Sequence, residues 1–430
     1  MSTLTIGIIV VFVLGYAFIA MESLTKINKA AIALLMFVFC WVLYMVDPAP
    51  FVQLMHPDFK GTGEQVLSFV NSLITEHLGD TATTLFFLMG AMTIVEIVDQ
   101  NGGFNWVKNV MHSKTKRSLL WKIAFMTFFL SAILDNLTTS IVMVMILRKL
   151  VHDKKDRMIY ASLVIIAANS GGAFSPIGDV TTIMLWNAGM ITAGGVISEI
   201  FIPSLLSMII PALLLQTALK GNIEYDDMGT DLRGDTVILD FTALQRKVIF
   251  AIGVGGLCFV PLFHYLTELP PFVGILLVLG ILWTVTELFY RQIHRRRGDN
   301  IQFSKRVSNL LTRIDMSTIL FFLGILMAVA CLEEVGVLHE LGGGLNSFFE
   351  GNHYAVTGII GVLSSIVDNV PLVAGSMGMY PVQATGDMAV DGIFWQLLAY
   401  CAGVGGSILI IGSAAGVVVM GLEEITFGWY

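Results

Sequence analysis

The stretch "SAILDNLTTS", residues 131–140, places an aspartate and an asparagine between two apolar runs, and "SSIVDNVPLV" at 364–373 does the same. The rest of the chain keeps charge away from its apolar runs: 56% of its 430 residues are hydrophobic, 13% are charged, and the mean hydropathy is +0.80. This composition lies outside the range of water-soluble domains. It predicts an all-α polytopic membrane protein, in which the two Asp-Asn pairs need an explanation.

Several apolar runs are long enough to cross a hydrocarbon core of about 30 Å as helices, which takes roughly 17 to 25 residues. They lie at about 4–20, 30–46, 83–98, 196–218, 247–264, 271–289 and 316–332. The first has neither the basic start nor the cleavage site of a signal peptide, so we expect it to be a retained span.

The cysteines, histidines and overall charge argue against several other classes of protein. The four cysteines lie singly in apolar runs and are expected to be small buried hydrophobes, without disulfides. The eight histidines form no metal-binding motif, so no zinc site or cofactor is expected. Glu96, Glu333 and Glu334 fall near helix ends and are expected to be solvated or interfacial. Net charge is −8 and the basic segments are short, which argues against nucleic-acid binding.

The positive charges give the topology. Lysine and arginine concentrate in the segments 26–29, 108–117, 148–157, 220–247 and 291–313. By the positive-inside rule these segments are cytoplasmic. The apolar run 119–147 has basic clusters on both sides but is too short to cross the membrane twice. We therefore predict a re-entrant hairpin at 119–150, which enters from the cytoplasm and has its tip at Asp135-Asn136.

The stretch 353–380 has the same form about Asp368-Asn369 but lacks basic flanks, so we predict a second hairpin that enters from the opposite face. Nine spans then place the N-terminus outside and the C-terminus inside. Non-helical backbone at membrane depth is found where protein or a water-filled cavity covers it. Paired hairpins therefore indicate a transport site.

An internal repeat supports this layout. "LFFLMGAM" at 85–92 returns as "LFFLGILM" at 320–327, the Asp-Asn pairs are 233 residues apart, and Gly171-Gly172…Gly178 returns 234 residues later. An odd number of crossings separates the copies, which predicts inverted repeats. The predicted boundaries are 1–218 for the first repeat (hairpin 119–150, broken helix 158–189), 219–246 for a cytoplasmic linker and 247–430 for the second repeat (hairpin 353–380, broken helix 391–421). The run 196–218 has no counterpart, so we expect a further helix beyond this sequence.

Each hairpin is followed by an apolar helix that glycines interrupt, "AANSGGAFSPIGDVTTIMLW" at 167–186 and "GGSILIIGSAAG" at 405–416. Helix breaks free backbone carbonyls, which together with carboxylates, amides and hydroxyls are the ligands that hard cations prefer. The polar residues expected at this depth are Asp135, Asn136, Thr138, Thr139, Asn169, Asp179, Thr181 and Thr182 in the first half, and Ser364, Asp368, Asn369, Ser407 and Ser413 in the second.

The three aspartates in this set have no lysine or arginine near them in sequence. A bare charge at the bilayer centre costs at least about 2.5 to 3.5 kcal/mol, so each carboxylate needs a partner or a proton. A transported cation is the simplest partner. Local alternatives remain open: Asp135 and Asn136 as helix caps, the threonines bonded to carbonyls of their own helices, and Ser407 and Ser413 as small residues for close helix packing.

These motifs resemble the NhaD-type sodium/proton antiporters of the ion-transporter superfamily, which also holds arsenite pumps and di- and tricarboxylate carriers. The resemblance covers most of the chain. It implies a bacterial inner-membrane homodimer that exchanges cytoplasmic Na⁺ or Li⁺ for external H⁺. Carried over by position, the ion site draws on Asp135, Asn136, Thr138, Asn169, Asp179, Thr181, Thr182, Ser364, Asn369 and Ser407, with Asp135, Asn136, Asp179 and Asn369 as Na⁺ ligands.

Two further functions remain as alternatives. A Na⁺-coupled di- or tricarboxylate carrier or an arsenite transporter would come from the same superfamily, although aspartates at both tips would repel a carboxylate substrate. An intramembrane aspartyl protease would use two aspartates, but "SPIGD" at 175–179 lacks the Gly-x-Gly-Asp motif.

Overall fold

A computed structural model describes residues 2–21, 25–104, 110–111, 113–223, 241–297, 307–366, 368–410, 412–426 and 428–430. These residues form 18 α-helices and no β-strand. The first half contains α1 (Thr3–Ala20), α2 (Lys29–Val46), α3 (Ala49–Met55), α4 (Glu64–Gln100), α5 (Lys116–Leu134), α6 (Asn136–Leu150), α7 (Lys154–Ala173), α8 (Val180–Asn187) and α9 (Ala193–Leu215). The second half contains α10 (Ala243–Thr267), α11 (Pro271–Arg297), α12 (Val307–Leu310), α13 (Met316–Glu334), α14 (Val337–Phe348), α15 (His353–Ser364), α16 (Asn369–Met379), α17 (Ile393–Gly405) and α18 (Ala414–Glu423).

Seven of these helices are long and apolar enough to cross a membrane: α2, α4, α5, α9, α10, α11 and α13. The prediction of a multi-pass helical membrane protein is confirmed. The predicted run 83–98 is only the apolar part of α4, which begins at Glu64, because the helix continues through polar residues that contact other helices. Most of the predicted linker 219–246, residues 224–240, lies outside the described residues.

The helices form two bundles. The scaffold bundle comprises α1–α4 and α10–α13, in which α2 packs along α13 and α4 packs along α11. The fit between α2 and α13 is close because Gly324 faces the backbone of Ala33, where a Cβ would come within 2.6 Å of the carbonyl carbon. Trp41 Nε1 also donates a hydrogen bond to the carbonyl oxygen of Met327 at 2.8 Å. The hairpin bundle comprises α5–α9 and α15–α18, and α14 packs on both α13 and α16.

Helices α5 and α6 are the two arms of a hairpin. The start of α5 lies beside the start of α7, where Lys116 pairs with Asp156 at 2.5 Å and accepts a hydrogen bond from Tyr160 at its carbonyl oxygen. Helix α6 returns to this same end, because only three residues separate Leu150 from the start of α7. The tip at Asp135 therefore points away from the end where both arms begin and finish.

Helices α15 and α16 form a second hairpin of the same design. The first arm starts beside the start of α17, where the rings of His353 and Phe394 lie 5.6 Å apart. The second arm ends there too, because the rings of Tyr380 and Phe394 lie 4.9 Å apart. The tip at Asp368 is again the far end of the pair.

Glycines at equivalent positions allow each hairpin to press against its broken helix. A Cβ on Gly171 would collide with the carbonyl oxygen of Phe128, and a Cβ on Gly405 would collide with that of Gly361. Serines repeat the same relation by hydrogen bonding: Ser131 Oγ donates to the carbonyl oxygen of Ala168 at 2.6 Å. In the second half, Ser364 Oγ donates to the carbonyl oxygen of Ala402 at 2.7 Å. The sequence repeat is therefore also a repeat of packing contacts.

Helix α18 of the second half packs on α6 and α7 of the first. Its Glu423 is buried and accepts hydrogen bonds from Arg148 Nε at 2.8 Å and Arg157 Nε at 2.6 Å. The two halves are thus interleaved in the hairpin bundle.

Glu334 is not solvated, which was one of the two environments expected for it. Its carboxylate is buried and lies within hydrogen-bonding distance of two histidine rings, with His56 Nε2 at 2.8 Å and His77 Nε2 at 2.9 Å. Buried carboxylates need such partners. This cluster joins α3 and α4 to the end of α13.

The expectation of four buried cysteines was right for two of them. Cys40 and Cys331 are buried, Cys401 is partly buried, and Cys258 is exposed on α10. Sequence pattern alone does not separate a helix face that contacts protein from one that faces outward in an all-apolar helix.

Candidate functional site

The first hairpin turns at a strained residue. Asp135 has φ 76° and ψ 161°, a region that glycine occupies readily and that costs other residues about 1 to 3 kcal/mol. Its carboxylate caps α6, accepting from the backbone N–H of Thr138 at 2.8 Å and from Thr138 Oγ1 at 2.9 Å. These bonds hold the carboxylate at the tip and aim the next residue, Asn136, into the protein.

The broken helix supplies a second carboxylate. Helix α7 ends at Ala173, and α8 begins at Val180. Asp179 caps α8, accepting at Oδ1 from the backbone N–H of Thr181 at 3.3 Å, and its carbonyl oxygen accepts from Thr182 Oγ1 at 2.9 Å. The Asp179 residue is only 1% exposed.

Both hairpin tips reach this carboxylate. Asn136 Nδ2 donates to Asp179 Oδ2 at 3.1 Å, and Asn369 Nδ2 donates to the same oxygen at 3.0 Å. Asn136 Nδ2 also donates to Asn169 Oδ1 at 3.0 Å. Two amides thus donate to one buried carboxylate oxygen, where charge-assisted hydrogen bonds are strong, and a third amide accepts from the first of them.

The second broken helix joins the same network. Ser413 caps α18 by accepting from the backbone N–H of Gly416 at 3.2 Å, and it also accepts from Asn169 Nδ2 at 2.9 Å. An ideal Cβ on Gly403 would lie 3.7 Å from Asp179 Oδ2, so α17 passes close to the carboxylate. The site is therefore a carboxylate–amide centre built from both halves, and its core is Asn136, Asn169, Asp179, Asn369 and Ser413.

The remaining predicted site residues lie around this centre with different partners. The Thr139 and Thr181 hydroxyls are buried and have no hydrogen-bond partner among the described residues. Ser364 Oγ is bonded to the carbonyl oxygen of Ala402, and Ser407 Oγ to that of Val404 at 2.6 Å. Ser364 thus links the first arm of the second hairpin to α17, whereas Ser407 bonds back to a carbonyl of its own helix.

Asp368 was expected to lack a basic partner, and here the structure differs. Lys29 Nζ lies 3.4 Å from Asp368 Oδ2, although the two residues are 339 positions apart in sequence. Within the described part of the chain, no lysine or arginine forms an ion pair with Asp135 or Asp179.

A cavity of about 440 Å³ lies between the two bundles, toward the C-terminal ends of α8 and α16. Its walls come from α4, α8, α13 and α16, and α8 and α16 are the helices that begin next to Asp179 and Asp368. The ionisable residues that line it are His77, Asp80 and Glu333. A polar cavity with acidic walls favours cations over anions.

A sequence model of the CitMHS family, described as citrate transporter, matches residues 16–405. The chain belongs to this family. It is accordingly a transporter and not an enzyme, which also removes the protease alternative. The matched region contains both hairpins and four of the five core residues of the carboxylate–amide centre, all except Ser413.

Several relatives of this CitMHS transporter have names that describe sodium/proton antiport. "Sodium/proton antiporter 1" of Arabidopsis thaliana is 41% identical over 99% of this chain and 68% of its own length. "Sodium/proton antiporter 2" of the same plant is 40% identical over 97% of this chain and 93% of its own length. "Na(+)/H(+) antiporter NhaD" of Alkalimonas amylolytica is 29% identical over 96% and 83%. The resemblance to NhaD-type antiporters is confirmed.

Two residues of this CitMHS transporter contact the site or a hairpin tip although the sequence did not predict these contacts. Ser413 was noted among the polar residues but left out of the carried-over ion site, although it stands 234 positions after Asp179 and so occupies the repeat-equivalent cap. Lys29 was not a candidate at all. The spacing of the repeat could have indicated Ser413, but no local pattern links Lys29 to the second hairpin.

Proposed function

We propose that this transporter exchanges cytoplasmic Na⁺ or Li⁺ for external H⁺ at the carboxylate–amide centre. The convergence of Asn136 and Asn369 on one oxygen of Asp179 carries the proposal, because it joins both hairpin tips and a helix break at one ionisable group. The names of the relatives, sodium/proton antiporter and Na(+)/H(+) antiporter, support the choice of ions.

The same side chains can serve either ion. An asparagine amide offers N–H donors on one side and a carbonyl oxygen on the other. With N–H groups inward, the amides satisfy the Asp179 carboxylate. After a half-turn, Asn136 and Asn369 offer oxygen ligands to Na⁺ beside that carboxylate, and Asp135 lies one residue away along the first tip. We propose these four residues as the Na⁺ ligands.

Eight further residues complete the proposed ion and proton site or support it: Thr138, Thr139, Asn169, Thr181, Thr182, Ser364, Asp368 and Ser407. Among these, the buried hydroxyls of Thr139 and Thr181 are the nearest to being free for a ligand, because no described residue bonds to them.

Exchange follows if Na⁺ and H⁺ compete for one carboxylate. Burial in general favours the neutral form of a carboxyl group, which brings protonation into competition with cation binding near physiological pH. On the cytoplasmic side Na⁺ displaces the proton, and on the outer side protons displace Na⁺. Because one carboxylate cannot hold both ions at once, the exchange is coupled.

Alternating exposure is proposed to come from movement of the hairpin bundle against the scaffold bundle. The two halves, 1–218 and 247–430, would be inverted repeats, and α5/α6 and α15/α16 would be re-entrant hairpins from opposite faces. The repeated packing of each hairpin on its broken helix supports this arrangement. A homodimer is proposed as the working assembly. A bacterial inner membrane is proposed as its location, although two of the relatives are plant proteins.

The test is proton movement in proteoliposomes that contain a pH-sensitive dye, after addition of Na⁺, Li⁺ or K⁺. We expect Na⁺ and Li⁺ to drive proton movement and both Asp135→Asn and Asp179→Asn to abolish it. Asp58→Asn, at an exposed position outside the site, is the matched control and keeps normal exchange. Normal Na⁺-dependent exchange in both site variants would rule out the proposed site.

A carboxylate carrier is the second candidate, because the matching family is described as citrate transporter. The buried Asp179 and the acidic cavity walls disfavour an anionic substrate. The same proteoliposomes, given citrate or succinate with Na⁺, decide the matter: radiolabelled citrate uptake without Na⁺-driven proton movement would favour the carrier. Arsenite efflux is tested by adding arsenite in place of citrate.

A further inference from the structure

The ion pair between Lys29 and Asp368 joins the two bundles. Lys29 is the first residue of α2 in the scaffold bundle, and Asp368 caps α16 at the tip of the second hairpin. Their Nζ and Oδ2 atoms are 3.4 Å apart, and the side chains are 25% and 16% exposed. Partial burial makes the pair stronger than a surface ion pair.

The position of Lys29 is unfavourable without an acidic partner. A positive charge in the first turn of a helix opposes the helix dipole. Asn28 already caps α2, accepting from the backbone N–H of Ala30 at 2.8 Å, so the lysine is not needed there for capping. The ammonium group instead lies 4.2 Å from the ring centre of Phe321 and faces Asp368. Both neighbours stabilise a cation.

The two hairpin tips therefore differ in charge. Asp135 accepts hydrogen bonds from Thr138 and forms no ion pair with a described residue. Asp368 is held by an ion pair with Lys29 and a hydrogen bond from the backbone N–H of Val370 at 3.3 Å. The residue after Asp368 is Asn369, which donates to Asp179. Fixing Asp368 thus fixes the amide that reaches the transport carboxylate.

We propose that Lys29 is the resident counter-ion of Asp368 and a positioning residue for transport, which keeps Asn369 on Asp179 and leaves Asp135 and Asp179 as the carboxylates that exchange Na⁺ and H⁺. This inference rests on the proposed function. It replaces the expectation that a transported cation balances Asp368. If the bundles slide past each other, the pair also favours the arrangement in which it forms.

The experiment uses the full chain with four variants: Lys29→Met, Asp368→Asn, the double variant and Lys29→Arg. Lys154→Met is the matched control, because Lys154 forms an exposed ion pair with Glu424 at 2.5 Å within the hairpin bundle. Two quantities are measured for each protein: the melting temperature in detergent, and the Na⁺ concentration that gives half-maximal proton movement in proteoliposomes.

We expect each single neutralisation to raise the half-maximal Na⁺ concentration at least tenfold, because an unpaired charge then lies at the second tip. The double variant recovers most of this loss, Lys29→Arg stays within threefold of the wild type, and Lys154→Met does not change. The melting temperature of the double variant is expected to be no lower than that of the less stable single variant. A melting shift in the double variant that is smaller than the sum of the two single shifts shows that Lys29 and Asp368 interact, whether or not transport is observed.

Additive melting shifts, or single variants with wild-type Na⁺ dependence, would overturn the counter-ion role while leaving the proposed function intact. A double variant that is as impaired as Asp368→Asn alone would show that Asp368 acts on the ion itself. Absence of Na⁺-driven proton movement in the wild type would instead overturn the proposed function, and the melting data would still decide whether the pair exists.

Discussion

The two halves of the chain build the same backbone frame and place different side chains in it. Asp179 and Ser413 stand 234 residues apart and each caps the second part of a broken helix. Asn169 has Gly403 at the equivalent position, so the amide of one half is replaced in the other by a residue without a side chain. The ionisable group of the carboxylate–amide centre thus comes from the first half alone.

The hairpin tips differ as well. Asp135 adopts φ 76° and ψ 161°, whereas Asp368 adopts φ −49° and ψ 136°, which any residue tolerates. The strained tip belongs to the half that carries Asp179. Strain that packing maintains is often found at functional sites. The two halves therefore share packing contacts at equivalent positions, while the ionisable group and the strained tip lie in the first half.

The largest expected effect concerns the close glycine contacts that occur at equivalent positions in both halves. Gly171→Ala and Gly405→Ala each place a methyl group against a backbone carbonyl that cannot move aside, so both should be destabilised by at least about 3 kcal/mol, the upper end for overpacking. Size-exclusion chromatography and thermal unfolding in detergent would measure this. Gly375→Ala, in the second hairpin with open space around it, should be as stable as the wild type. Tolerance of either site substitution would contradict the described packing.

The next effect separates the two caps. Asp179→Ser gives the first half the residue of the second, which still caps α8 but removes the carboxylate. Na⁺-driven proton movement should fall at least about 100-fold, since charge-assisted contacts contribute about 1.5 to 3 kcal/mol each and 1.4 kcal/mol is tenfold. Ser413→Ala should lose about tenfold, because it removes two neutral hydrogen bonds, from Asn169 and from the backbone N–H of Gly416, and no charge. Equal losses would mean that the two halves contribute alike.

A smaller difference is expected between the tip amides. Asn136 donates to both Asn169 and Asp179, whereas Asn369 donates to Asp179 only. Asn136→Ala should therefore raise the Na⁺ concentration for half-maximal exchange more than Asn369→Ala, roughly thirtyfold against roughly tenfold at about 1 to 2 kcal/mol. Isothermal titration with Na⁺ in detergent gives the same order independently. A reversed order would place the dominant contact on the second tip.

The smallest effect is expected at Gly403, which lies close to the carboxylate of Asp179. A methyl group there would lie 3.0 Å from Ala173 Cβ and 3.7 Å from Asp179 Oδ2. Gly403→Ala should raise the half-maximal Na⁺ concentration about two- to threefold, because apolar surface replaces space beside the carboxylate. Gly358→Ala, in the first arm of the second hairpin with no close neighbour, is the control. No change in Gly403→Ala would show that this space is not used.

The sequence predicted those parts of the site that leave a local mark. A charged or amide residue within an apolar run and glycines within a helix are visible in a short window, so Asp135, Asn136, Asp179 and both breaks could be found. The repeat spacing then paired Asn136 with Asn369. The agreement reflects how few solutions a membrane allows for polar backbone and side chains.

Contacts between distant helices left no such mark. Lys29 and Asp368 are 339 positions apart, and His56 and Glu334 are 278 apart, so no periodicity could bring them together. The length of α4 was underestimated because its polar first part looks like a loop until His77 is seen to contact Glu334. Such contacts depend on how the bundles pack, which a sequence pattern does not specify.

The bond from α18 back to the first hairpin has a consequence for biosynthesis. Arg148 and Arg157 are made 275 and 266 residues before Glu423, the carboxylate that both of them contact. At roughly 5 to 20 residues per second, about 14 to 55 seconds pass before it is synthesised. During that interval the base of the first hairpin carries two arginines without this partner, and one face of α6 and α7 without α18. The first half is therefore synthesised well before α18, the helix that completes the packing of α6 and α7.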